Sequence, residues 1–313
     1  MKTHIASSFK NIFRRGTKRP RACVLATILL PCVFANLPAN ADPFFFSTGN
    51  PDGLIATASR IASPGKLETE TADDFVTTAT TSITKATVIG LIPLGTALGA
   101  INQVEIELYH VFPLDSTNPP SGNVITRVNS PSDNNFAARD SAVAGQLSFT
   151  ATLLNPSFTA ANSVVNGIHP LPNQFTGGEG SVTGQEIRLD ITFTVPLVVG
   201  ADHIFFRPEV GLSTNGDFLW LSAPKPIVGP GTPFGNDLQS WIRNDGPGGL
   251  GPDWERIGTD VTHQGPFNAA FSLTGTVSGT AVPEPGSALA GMLALGVCFS
   301  GLLARSRRQT AAS

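Results

Sequence analysis

Between residues 42 and 276 the apolar positions recur with a period of two, the spacing of strands and not of helices. Glu186 to Val195 is the clearest case: Ile187, Leu189, Ile191, Phe193 and Val195 alternate with Arg188, Asp190, Thr192 and Thr194. Successive side chains of a strand leave opposite faces, so this segment is predicted to set one face in a core and one in water. Val104, Ile106 and Leu108 alternate in the same way with Glu105, Glu107 and Tyr109. Gln146 to Leu154 places Leu147, Phe149, Ala151 and Leu153 on one side, and Phe271 and Leu273 turn away from Ser272 and Thr274. Asp217 to Leu221 is apolar on both faces, Phe218 and Trp220 on one and Leu219 and Leu221 on the other. That pattern predicts a central strand under a covering layer.

Clusters of Gly, Pro, Asn and Asp punctuate these runs at 113–122, 129–135, 173–184, 224–235 and 245–252. Many short strands with such punctuation predict an all-β fold, an antiparallel β-sandwich occupying residues 42–276. A split into two sandwiches near 160–180 is the alternative, because 155–184 is long and loop-like. No internal repeat is visible.

Charge is segregated. Residues 42–280 hold 10 Lys and Arg against 22 Asp and Glu, a net of −12 inside a chain whose formal net charge is −3. An acidic body excludes nucleic acid and anionic lipid as expected partners, since both require a basic footprint. Cys23, Cys32 and Cys298 all lie outside it, so the body is expected to hold together by core burial without disulfides. Thiol catalysis and cysteine-type zinc or iron–sulfur sites are excluded there too.

The catalytic motifs fail on context. Gly246, Gly248 and Gly251 spell G-x-G-x-x-G, but Pro247 and Pro252 bracket them and no helix pattern follows. His110, His169, His203 and His263 have no ligand-like spacing, and His203, alternating with Phe205, is expected to be buried and hydrogen-bonded. Glu105 with Glu107, and Asp253 with Glu255, are the carboxylate pairs a glycosidase would need, but such pairs on strands are ordinarily a solvated face. Glu68, Glu70, Asp73 and Asp74 form a local acidic cluster that could take calcium. It lacks the D-x-D-x-D-G spacing of a calcium loop, so a polar strand start is the favoured reading, and no cofactor is expected. One ligand surface is suggested. If Leu238, Ser240 and Ile242 face the core, then Gln239, Trp241 and Arg243 face outward, and Trp254 extends a platform on which sugar rings would stack. Tryptophan's usual burial favours the opposite assignment, with Trp241 in the core.

The two ends read as addresses. Lys2, Lys10, Arg14, Arg15, Lys18, Arg19 and Arg21 precede a short apolar stretch, Ala22 to Phe34, and then Ala39-Asn40-Ala41. A basic leader, an apolar run and a small-x-small site make residues 1–41 a secretory signal cleaved before Asp42, of Sec type rather than twin-arginine. At the other end, 277–282 is a small-residue linker to Val282-Pro283-Glu284-Pro285. A run of 19 uncharged residues, Gly286 to Ala304, follows, and then Arg305, Arg307 and Arg308. The run is close to the ~20 residues of a membrane-spanning helix, and the arginines act as a basic stop on the cytoplasmic side.

This ordered tail, 283–308, resembles the PEP-CTERM sorting signal of exosortase substrates. The resemblance implies a precursor anchored in the inner membrane, processed by signal peptidase and exosortase, and a mature protein at the cell surface or outside the cell. It implies association with extracellular polysaccharide and no established enzymatic role. Thr71-Ala72-Asp73-Asp74-Phe75 and Phe267-Asn268-Ala269-Ala270-Phe271 look similar to the first and last strands of β-sandwich passengers with such tails. That likeness implies a jelly-roll-like fold whose terminal strands pair. An exported, non-catalytic surface or matrix protein is the expectation; a secreted carbohydrate-binding module or a secreted hydrolase are the alternatives.

Overall fold

The computed structural model describes residues 41–117, 121–168, 175–245 and 249–278. The expected signal peptide up to Asn40, with Ala39, lies outside them. So do the expected sorting motif Val282 to Pro285, the expected span 286–304 and the arginines Arg305, Arg307 and Arg308.

The described residues are all-β. The strands are β1 (Asp42–Ser47), β2 (Ile55–Ala58), β3 (Glu68–Thr77), β4 (Thr81–Ile92), β5 (Ile101–Val111), β6 (Pro131–Asp140), β7 (Leu147–Ala160) and β8 (Asn162–Val164). They continue with β9 (Val182–Val199), β10 (Asp202–Leu212), β11 (Leu219–Ala223), β12 (Trp241–Asp245), β13 (Glu255–Arg256), β14 (Asn268–Ala269) and β15 (Phe271–Val277).

They form two sheets. In the nine-stranded sheet β4 is the spine: β9 runs along one edge, and β15 and then β11 take successive parts of the other. The six-stranded sheet runs β13-β12-β3-β10-β5-β6. Pairing is antiparallel except for β2 with β8, which is parallel. Strands on both sides of the loop-like stretch near 160–180 share a sheet, since β7 pairs with β9. The first and last described strands also pair: β1 runs beside β15 in a register that sets Asp42 opposite Val277.

The core lies between the sheets and follows the alternation. Ile187, Leu189, Ile191 and Phe193 from β9 meet Val104, Ile106 and Leu108 from β5 and Ile204 and Phe206 from β10. Phe206 stacks on Phe271 with ring centroids 5.0 Å apart, and Trp220 donates its indole N–H to the Ala270 carbonyl at 2.9 Å. β11 is buried throughout, with Trp220 and the preceding Phe218 in this core and Leu219 and Leu221 in a smaller one beside Ala56, Ala58 and Leu91.

Three sequence expectations need correction. The 129–135 cluster is a turn only at its start, at Asn129 with positive φ: β6 begins at Pro131, where an edge strand tolerates a missing backbone N–H. The Gln146–Leu154 alternation fades at Leu153 and Leu154, both exposed, where the edge strand β7 bulges against β9. The Thr71–Phe75 segment is in the third strand, and the terminal pair is β1 with β15.

Candidate functional site

The side of the six-stranded sheet turned away from the main core was expected to face water, and it does not. Tyr109, Phe205, Trp241, Trp254 and Ala72 form a second apolar cluster there. Trp254 comes from the segment before β13 and meets Tyr109 edge-on at 5.6 Å. The loop ahead of β6 contributes Arg127, wholly buried, which pairs with Asp133 at 2.9 Å and approaches Asp253 at 3.5 Å.

The proposed sugar platform is therefore absent from the surface. Trp241 is 1 % exposed and Trp254 0 %, Arg243 is buried, and Gln239 is half-buried and accepts a hydrogen bond from Thr259 at 2.7 Å. The physical reason is that Ser240 and Ile242 are buried as well, so β12 is covered on both faces and alternation carries no inside–outside information. Arg243 lies over the Trp254 ring at 4.6 Å and grips Glu70, Nε to Oε2 at 2.5 Å and Nη2 to Oε1 at 3.1 Å.

Beside this cluster sits a dense charge network. Arg207 on β10 places Nη2 2.6 Å from Glu107, 3.2 Å from Glu70 and 3.6 Å from Glu68, with Nη1 2.8 Å from Glu209. Glu107 also accepts hydrogen bonds from Tyr109 and Asn135. The expectation that Glu105 and Glu107 form a solvated face holds for neither cleanly: Glu107 is buried and Glu105 half-buried. The strand pairing explains how room is made. β3 and β10 pair from Asp202 opposite Thr77 to Phe206 opposite Asp73; beyond that, Ser59 and Arg60 take over, Ser59 accepting from Val210 N–H and Arg60 bridging to Thr69.

One oxygen each of Glu68, Glu70 and Glu209 lies within 4.8 Å of the others, a carboxylate triad at the end of this pairing. Burial, aided by Glu70, raises the Glu68 carboxyl; burial raises Glu209 well above the carboxylate range and pushes Glu105 up to about 7. Glu70 is the exception. Burial opposes its charge, but Arg207 and Arg243 outweigh it and hold it below its ordinary value. Such a network can store a proton or hold a hard cation.

No protein family, curated protein or solved structure matches this chain. What it does must be argued from its own residues.

The acidic cluster expected at Glu68, Glu70, Asp73 and Asp74 divides. Glu68 and Glu70 join the triad. Asp73 accepts from Ser240 at 3.1 Å and from the Ala269 N–H at 2.9 Å, bonding β3 to β14 in the other sheet. Asp74 meets His203 Nε2 at 2.6 Å and accepts from the Leu238 N–H at 3.1 Å. His203 is hydrogen-bonded as expected but only half-buried, and it lines a cleft of about 420 Å³ with Val111, Asn129, Asn236, Asp237 and Leu238. A second cleft, about 260 Å³, is lined mainly by apolar residues around Leu91, Val182 and Leu219. Sequence reasoning missed Glu209 and Arg207 as members of the charge network. The signal available was two charges, Arg207 and Glu209, on the same face as Phe205 and alternating with Phe206, Pro208 and Val210 on the apolar face.

Proposed function

We propose that this is an exported, non-catalytic surface or extracellular-matrix protein, delivered by an N-terminal secretory signal and sorted by exosortase through its PEP tail. The observation that carries the reading is the order of motif, uncharged 19-residue run and arginines at residues 282–308. The fold supports it from the other side. Because Asp42 pairs with Val277, the β-body closes where the expected signal cleavage and the linker begin, so both addresses can be removed without breaking a strand. The jelly-roll-like wiring, the membrane helix 286–304 and an association with extracellular polysaccharide belong to the same reading.

No specific observation favours the alternatives. A carbohydrate-binding module through Trp241 and Trp254 would need rings that are in fact buried, and a hydrolase would need its carboxylates free of the guanidiniums that hold them. The test is replacement of Pro283, Glu284 and Pro285 by alanine in the native host. Uncut precursor should accumulate in the inner membrane, because the apolar run alone acts as a stop-transfer anchor. Normal release of the variant would contradict the sorting reading.

A further inference from the structure

We propose that the free edge of β7 is a self-association surface, on which β7 of a second copy of this chain pairs antiparallel about a two-fold axis through Ala151. β7 ends its part of the nine-stranded sheet: it pairs with β9 and, among the described residues, with no other strand. The 3₁₀ turn Leu98–Ala100 comes near it but shares no backbone hydrogen bond with it. One row of backbone N–H and C=O groups therefore faces outward along Leu147 to Leu154, a stretch of roughly 27 Å at about 3.4 Å per residue.

Native proteins guard such edges with charge, proline or shortness. The other edges of this fold follow that rule. β8 has three residues and β13 two, β1 has six with Asp42 and Pro43 among them, and β6 carries Pro131, Asp133, Arg139 and Asp140. β7 is different. It is 14 residues long without a charged side chain, and none occurs anywhere from Ser141 to Ile168. Its one proline, Pro156, lies beyond Leu154.

Charge selects a second copy as the partner. Residues 42–280 carry a net −12, so two copies repel one another over most of their surfaces. That repulsion is least at the uncharged run, and an edge without charge meets its own image with no like charges opposed.

The side chains also suit their own image. Leu147, Phe149, Ala151 and Leu153 stand opposite Phe193, Ile191, Leu189 and Ile187 of β9 and share their core-side face. Yet Phe149 and Ala151 are only half-buried and Leu153 is 42 % exposed, so the core is left open along this edge. With Ala151 opposite its own copy, Phe149 meets Leu153 of the second molecule and covers the open margin of both cores. On the outer face Thr150 meets Thr152, a cross-strand pair that sheets favour. The contact is isologous, so it closes at two copies with both β7 edges used.

The experiment is sedimentation velocity of the full-length chain in detergent from about 1 to about 200 µM, the range in which an interface of this small class dissociates. A reversible shift from one copy to two is expected. Thr150→Lys with Thr152→Lys sets lysine against lysine twice across the axis and should weaken association at least about tenfold. Thr150→Lys with Thr152→Glu sets lysine against glutamate twice and should bring association back to within about threefold of wild type. Both positions are exposed and lie beside Asp190 and Arg188 of β9, so the core is untouched and the circular dichroism spectrum should not change. Should the lysine pair fail to fold, a pair of glutamates at the same positions takes its place, with the same expected loss. A monomer at every concentration, which would leave the edge to a strand of a different protein, overturns the pairing. So does association that the like-charged pair leaves intact, as contact through the apolar tail would be, or association that the lysine–glutamate pair does not restore.

Discussion

Truncating Trp241 tests the finding that the outer side of the six-stranded sheet is a core. The ring is 1 % exposed and packs with Ala72, Tyr109, Phe205 and Trp254. An aromatic side chain buries about 150–250 Å², which at roughly 25 cal/mol per Å² is about 4–6 kcal/mol, an upper bound because the unfolded chain is already partly collapsed. Trp241→Ala in the domain spanning residues 42–278 is therefore expected to cost about 3–5 kcal/mol, the usual range for emptying such a site. Trp241→Phe separates packing from polarity. The indole Nε1 is buried without a hydrogen-bond partner, so removing it relieves a desolvation cost while most of the ring contact remains; the loss should stay below about 1.5 kcal/mol. Urea unfolding followed by circular dichroism, at constant m, reads both values. A cost under about 1 kcal/mol for Trp241→Ala would refute the packing, as would loss of polysaccharide retention at unchanged stability.

Three further outcomes are expected. Burial, reinforced by Asp260, pushes Glu255 up to about 8. This carboxyl binds its proton more tightly folded than unfolded, so its contribution is complete below about pH 4.5 and is lost as pH rises through about 8. The melting temperature should thus fall between about pH 5 and pH 8, less steeply in Glu255→Gln; a flat profile, or a variant that follows wild type, contradicts this. Gly275→Ala would put a Cβ 2.1 Å from the Ser82 carbonyl oxygen, so β15 must shift from β4, destabilising by about 1–3 kcal/mol or more; a neutral melt would show that the strands are not so close. Arg207→Met strips Glu70, Glu107 and Glu209 of a shared cation and should cost about 3–5 kcal/mol, while a stabilised variant would mean that those carboxyls are protonated throughout.

The two sheets were legible because β9 and β15 each bury one face and turn the other to water, and two-residue alternation encodes that directly; β5 shows the same alternation although its outer face is covered. β11 was legible for the opposite reason, since a run apolar on both faces has only a covered place to go. β12 defeated the same logic. Trp241 and Arg243 alternate with Ser240 and Ile242 as an amphipathic strand would, yet all four are buried, because Trp254 and the segment around it cover the outer face. A covering segment from elsewhere in the chain leaves no periodic trace in the strand it covers. The charge network was illegible for a related reason. Glu68 and Glu70 announce themselves as a polar strand start, but their partners Arg207 and Glu209 lie more than a hundred residues away and meet them through sheet order.

The central claim is that the chain is exported and cut at its tail, and the mass of the mature protein tests it most directly. Protein recovered from the surface or medium of the native host, measured intact and mapped by peptides at both ends, should begin at Asp42 and lack Arg305, Arg307 and Arg308. Surface protein carrying an intact C-terminus, or full-length protein found only in the cytoplasm, would contradict the account.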